Sequence, residues 1–166
     1  MPLADALIAE LEQEVKTTRT LLGRVPDDKL SWKPHAKSMT LGQLANHIAT
    51  IPGGVAGFAA RDSVDYGTFS PPPQAATAAA ILAVFEESAA RAKAILGEMD
   101  DAALMKEWSL LKGGQTLTTM PRVGIFRYVL LNHLYHHRGQ LSVYLRLLDV
   151  PVPAIYGPSA DENPFG

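Results

Sequence analysis

The sequence contains no cysteine. That absence excludes a disulfide framework, a thiolate zinc site, an iron–sulfur cluster and a cysteine nucleophile. Any metal must be held by nitrogen and oxygen donors. A dominant charge is missing too: 15 basic residues face 17 acidic ones, for a formal net charge of −2. Phosphate neutralisation needs a basic stripe and none is present, which argues against a nucleic-acid partner. There is no long hydrophobic run either. The most apolar stretch, residues 75–85, is mostly alanine and stops at Glu86 and Glu87, too short to span a bilayer. The first residues carry Asp5, Glu10, Glu12 and Glu14 where a signal peptide carries a basic region and an apolar run. A cytoplasmic protein with no membrane partner is the expectation.

What the chain does have is enough length and apolar content for one core. Its 166 residues fit a single domain over 1–166. Hydrophobic residues make up 47% and charged residues 19%, a slightly apolar balance that points to surface covered by a second subunit.

Helical periodicity dominates. Leu3, Leu7, Leu11, Val15, Thr18 and Leu22 recur every three or four residues, closed by Gly23 and Pro26. Residues 24–39 read as a connection that pins Trp32. Thr40 and Gln43 form a capping-box pattern ahead of the apolar line Leu41, Leu44, Ile48, Ile51 and Val55. Pro52, Gly53 and Gly54 predict a kink or irregular turn in that helix. After a break over 65–73, ending in three prolines, a third helix spans about 74–97 on Ala78, Ile81, Phe85, Ala89, Ala92 and Leu96. Residues 98–119, with Trp108, Gly113 and Gly114, allow a short hairpin or an ordered loop. The last helix is expected from a Thr119 cap, with Pro121 in its first turn, to about Leu148. Together these predict an all-α fold, a four-helix bundle with long crossover connections.

Three of the five histidines, His133, His136 and His137, fall within five residues of the last helix. At 100° per residue His133 and His137 lie about 40° apart, one turn apart in height, so two imidazoles can converge on one ion. Their face also carries Phe126, Leu130, Leu134, Leu141, Tyr144 and Leu148, so both point inward. His136 lies about 60° round from His133, at the edge of that seam. His47, between Leu44 and Ile51, is on the inward line of its own helix. A lone inward histidine is usually a core residue satisfied by one hydrogen bond. Three neutral imidazoles without a shared partner would leave several polar nitrogens to satisfy. A three-histidine metal site of His47, His133 and His137 is therefore favoured, provided the two helices face each other. It would leave one position for water or substrate.

Gln140 lies near the same face, either orienting an imidazole or simply continuing the helix. Tyr144 either brings a phenol to the site or fills the core. Arg127 and Arg138 point away and read as surface charges; Asn46 and Asn132 suit ordinary helix contacts equally well. The residues between the paired histidines, Leu134, Tyr135 and His136, include no glutamate to act as a base, and no catalytic side chain is assigned. Asp65, Asp161 and Glu162 are the carboxylates that could arrive from elsewhere.

The run Asn132-His133-Leu134-Tyr135-His136-His137-Arg138-Gly139-Gln140-Leu141 resembles the last-helix signature of the DinB/YfiT-like superfamily. Trp32-Lys33-Pro34, then Ser38-Met39-Thr40-Leu41-Gly42-Gln43-Leu44 and His47, is similar to its first-histidine region. Tyr156-Gly157-Pro158-Ser159-Ala160-Asp161-Glu162 is similar to the ending of many members. The resemblance covers nearly the whole chain. It implies a four-helix bundle with a long crossover, a homodimer, and a divalent metal, zinc or nickel, on His47, His133 and His137. It also implies a low-molecular-weight thiol cosubstrate in an S-transferase or isomerase reaction on a small-molecule substrate. A chain without cysteine suits a thiol supplied from outside. The alternatives are a hydrolase using metal-activated water and a non-catalytic metal-binding stress-response protein.

Overall fold

The structure, a computed structural model, describes residues 1–70 and 73–165. Two of the three consecutive prolines expected to break the chain, at 71 and 72, lie outside the described residues. Four long helical segments pack around one core, and a small three-stranded sheet stands at one end of α2.

Helix α1 spans Leu3–Leu22 and buries Leu7, Leu11, Thr18, Leu21 and Leu22. The predicted seam is shifted: Leu3 is exposed, Val15 is half-buried, and Glu14 is buried instead. The connection 24–39 is tied back onto α2, with Gly42 N–H donating to the Leu30 carbonyl and Leu41 N–H to the Trp32 carbonyl.

Helix α2, Leu41–Ala59, opens on the predicted capping box: Thr40 Oγ1 accepts from Gln43 N–H at 3.1 Å, and Gln43 Oε1 accepts from Thr40 N–H at 2.8 Å. No irregular turn interrupts α2, which continues as helix through Pro52. Helix α3, Ala78–Gly97, packs beside it. Gly53 N–H donates to Ser88 Oγ at 2.7 Å, and a Cβ on Gly53 would stand 3.0 Å from Ser88 Cα. The close helix crossing packs α3 against the turn that contains Pro52 and gives the next N–H a partner there.

The all-α expectation is corrected by the sheet. Strand β1 (Ser63–Asp65) pairs in parallel with β2 (Glu107–Lys112), which pairs antiparallel with β3 (Gln115–Pro121). Gly113 and Gly114, both at positive φ (58° and 80°), make the two-residue turn of this hairpin. A short helix α4, Asp101–Met105, precedes it. Trp108 is buried and its indole N–H donates to the Phe58 carbonyl at the end of α2.

Thr119 belongs to β3, where its hydroxyl bonds that of Ser109, and it does not cap the last helix. That helical segment begins as α5 (Arg122–Gly124), widens into a π-helical stretch over Ile125–Leu131, and continues as α6 (Asn132–Leu147). Among the described residues, no helix is long and apolar enough to cross a membrane.

Candidate metal centre

His47 projects from the middle of α2, while His133 and His137 project from the first turns of α6, and α2 packs directly against both the π-helical stretch and α6. The condition set by the sequence, that the two helices face each other, is met. One ligand nitrogen from each of the three rings lies within 4.8 Å of the others. Ring centroids are 5.0 Å apart for His47–His133, 4.5 Å for His47–His137 and 4.6 Å for His133–His137.

Each ring is oriented by what surrounds it. His137 Nδ1 and Gln140 Oε1 are 2.7 Å apart; the amide oxygen can only accept, so Nδ1–H donates and Nε2 keeps a free lone pair. The Val129 backbone in the π-helical stretch favours the protonated form of His133, while His133 Nε2 faces His47 Nε2 at 3.1 Å. Two imidazole nitrogens at this distance are stable when they share a proton or a cation between them. Tetrahedral coordination with Zn–N bonds of 2.0–2.1 Å sets nitrogens about 3.3 Å apart, so the His47–His133 pair has the spacing of two ligands of one divalent ion, and the three-nitrogen set has the chemistry.

Electrostatics prepares the same state. Burial lowers the pKa of all three imidazoles; repulsion from a neighbouring histidine adds to it in each, and at His137 the Gln140 hydrogen bond opposes it. His133 is pushed down to about 4 by burial first and then by His137, His47 and His136, against the raising effect of the Val129 hydrogen bond. The cluster is thus neutral at physiological pH, the protonation state that ligation requires.

Beside it lies a cavity of about 590 Å³ whose wall includes His47, His133, Asn46, Ile51, Val55 and Val129. Its described lining contains no carboxylate, lysine or arginine. Gln43, Thr50, Gly54 and Phe58 line it as well, Gln43 four residues before His47 and the others after it at successive spacings of three and four along α2. That spacing was available in the sequence as the site's second wall. Met39, Phe69 and Gln74 carried no such signal.

Several expectations are corrected. Tyr144 does not reach the histidines: its hydroxyl donates to the Met39 carbonyl and its ring packs edge-on against Trp32, so it anchors the 24–39 connection. Arg138 is no surface charge. It is 1% exposed and pairs at 2.5 Å with Glu14, itself 5% exposed, while donating to Thr18 and meeting Tyr156 from the tail. Arg127 pairs with Glu10, which also accepts from Tyr135. The carboxylates considered as bases are engaged elsewhere. Asp65 accepts from the amides of Gly67 and Gly114, Asp161 pairs with Arg146 and accepts from Val152 N–H, and Glu162 pairs with Arg24. Asn46 accepts from Ala75 N–H, tying the segment ahead of α3 to α2. His35 and His136 are exposed and outside the cluster.

Residues 1–163 match the sequence model of the DinB family. The chain belongs to the DinB family. It is 28% identical to the protein named YrdA of Bacillus subtilis (strain 168) over 163 residues, covering 95% of this chain and 90% of that one. Its fold is similar to that of a DinB-like protein from Bacillus cereus ATCC 10987, with a TM-score of 0.75 at 22% identity, covering 92% and 97% of the two chains. A DinB-like protein of Bacillus subtilis, YjoA, superposes with a TM-score of 0.71 at 19% identity, covering 89% and 96%. The fold is DinB-like and mostly helical, and the three histidines are compatible with a divalent metal in this member of the family.

Proposed function

We propose that this DinB-family chain is a divalent-metal-dependent enzyme that joins a low-molecular-weight thiol to an electrophilic small molecule, or isomerises a substrate through such a thiol. The observation that carries the reading is the pairing of three neutral imidazoles with a cavity whose described lining holds no acid or base beyond the histidines.

His47, His133 and His137 would hold the ion, zinc or nickel. The chemistry a bound divalent ion supplies is Lewis acidity, which lowers the pKa of a thiol or water and makes it nucleophilic near neutral pH. The chain does the rest. Gln140 fixes the His137 ring, and the crossing of α2 on the last helical segment sets His47 and His133 against each other. Ile51, Val55, Phe58 and Val129 give the cavity apolar walls that hold a substrate body and exclude water. The chain contributes no thiol of its own, so the sulfur must come from the cosubstrate.

A hydrolase at this site would need a general base within reach of water. Asp65, Asp161 and Glu162 are each held by other partners, which favours the thiol reading. The test is a screen of metal-loaded protein against electrophiles with several biological thiols, beside esters and amides without thiol. Turnover only in the presence of a thiol supports the proposal; turnover of an ester or amide without thiol contradicts it.

A further inference from the structure

A second cavity, of about 580 Å³, adjoins the first and shares Thr50, Gly54, Phe58 and Phe69 with it. Phe58 and Phe69 meet edge-to-face at 5.8 Å along the shared wall. A Cβ on Gly54 would meet nothing within 4 Å, so the helix backbone forms an open floor running beneath both cavities. The two therefore make one elongated groove along α2 and α3, with the histidines at one end.

The other end is chemically different. Arg61, Glu87 and Arg91 line it. Elsewhere in the described structure, Arg19, Arg24, Arg122, Arg127, Arg138 and Arg146 each pair with a carboxylate. Arg61 and Arg91 are the remaining arginines, they have no such partner among the described residues, and both line this one cavity. Glu87 precedes Arg91 by one helical turn yet forms no ion pair with it, which leaves the cavity with a net positive charge. The guanidinium of Arg91 also occupies space that only glycine leaves open: Nη2 lies 3.0 Å from where a Cβ on Gly57 would stand. It rests against α2 as part of the groove wall.

We infer that Arg61 and Arg91 form an anion subsite that binds the carboxylate end of an elongated, apolar-bodied substrate whose other end reaches the histidines. A guanidinium matches a carboxylate through paired, charge-assisted hydrogen bonds, and the apolar stretch between the two ends suits an aliphatic or aromatic body. This deepens the reading proposed above by naming the substrate class, and it rests on that reading only for what happens at the histidine end.

The test measures binding of octanoate and of octanamide, its neutral isostere, by calorimetry to the full chain. Wild type, Arg61→Gln/Arg91→Gln, Glu87→Gln and His133→Ala are compared after circular dichroism shows each to be folded. Octanoate should bind about ten- to a hundredfold tighter than octanamide, the range of one or two charge-assisted hydrogen bonds. The preference should disappear in Arg61→Gln/Arg91→Gln, grow in Glu87→Gln and persist in His133→Ala. Equal binding of the two compounds, no binding of either, or a preference that survives loss of both arginines overturns the subsite. A preference lost only in His133→Ala also overturns it, because the carboxylate would then be binding at the histidines. Since His133→Ala removes a proposed metal ligand, the subsite stands or falls separately from thiol-dependent turnover.

Discussion

The Nε2 atoms of His47 and His133 face each other across 3.1 Å, although the residues are 86 positions apart in sequence. Two half-buried bases are brought together by a helix crossing, and His137 closes the triangle from one turn further along α6. Such an arrangement costs free energy in the absence of a shared proton or ion, because each buried lone pair loses water without gaining a donor.

The orientation of His137 makes Gln140 the first residue to probe. Gln140→Leu removes the acceptor at 2.7 Å from Nδ1 and frees the ring to rotate. Zinc affinity should fall about ten- to a hundredfold, measured by competition with a chromogenic chelator. Tyr144→Phe, which alters only the contact to Met39, should leave the affinity unchanged.

Acid should destabilise the metal-free protein through the same histidines. Their pKa values are lowered in the folded state, so the unfolded chain binds more protons between the folded and unfolded values. Their contribution to stability is complete above about 6.5 and is lost as pH falls through the folded values, which for His133 is about 4. Asp62, Asp65, Glu86 and Asp161 also have lowered values, but their loss begins in the ordinary carboxylate range and continues below it, so it does not overlap the upper part of this window. Melting temperatures of chelator-treated protein should drop from pH 6.5 to pH 4, and His133→Ala should flatten that slope.

About 100° round α6 from His137, Arg138 and Glu14 form a buried ion pair that also receives Tyr156. Removing one partner leaves an uncompensated buried charge, so Glu14→Ala or Arg138→Ala should cost about 3–5 kcal/mol in denaturant unfolding. Glu14→Leu with Arg138→Met should recover most of that loss. The tail around Tyr156 should become protease-sensitive in either single variant.

Close approach of α2 and α3 gives a paired glycine test. Gly53→Ala would force Ser88 away from 3.0 Å and should cost about 1–3 kcal/mol. Gly139→Ala, at an exposed position of α6 where a Cβ meets nothing within 4 Å, should stabilise the protein by about 0.5–1 kcal/mol.

The parts of this molecule that were legible in the sequence are those written in a single helical period. His133 and His137 share a face by arithmetic, and Leu44, His47 and Ile51 share another. Thr40 and Gln43 announced the start of α2 by their side-chain chemistry. What escaped depended on neighbours. Arg138 stands about 100° from His137 around the helix, a direction that is solvent for an edge helix but here meets Glu14 of α1. Pro52 and the two glycines after it predicted an irregular turn, and the Ser88 partner of Gly53 lies on another helix, out of reach of a local reading. Strand β1 is only three residues long, and its conformation comes from pairing with β2, more than forty residues later. The π-helical stretch likewise has no period that a 3.6-residue reading would detect, yet it supplies the Val129 backbone to His133.

The central claim, that His47, His133 and His137 together hold one divalent ion, is tested most directly by elemental analysis of protein purified without a metal-affinity tag and reloaded with zinc or nickel. The account predicts one ion per chain in the wild type, retained in His35→Ala and His136→Ala. It predicts loss of tight binding in His133→Ala and His137→Ala, and severe weakening in His47→Ala. No bound ion in the wild type, or loss in His136→Ala with retention in His137→Ala, would contradict it.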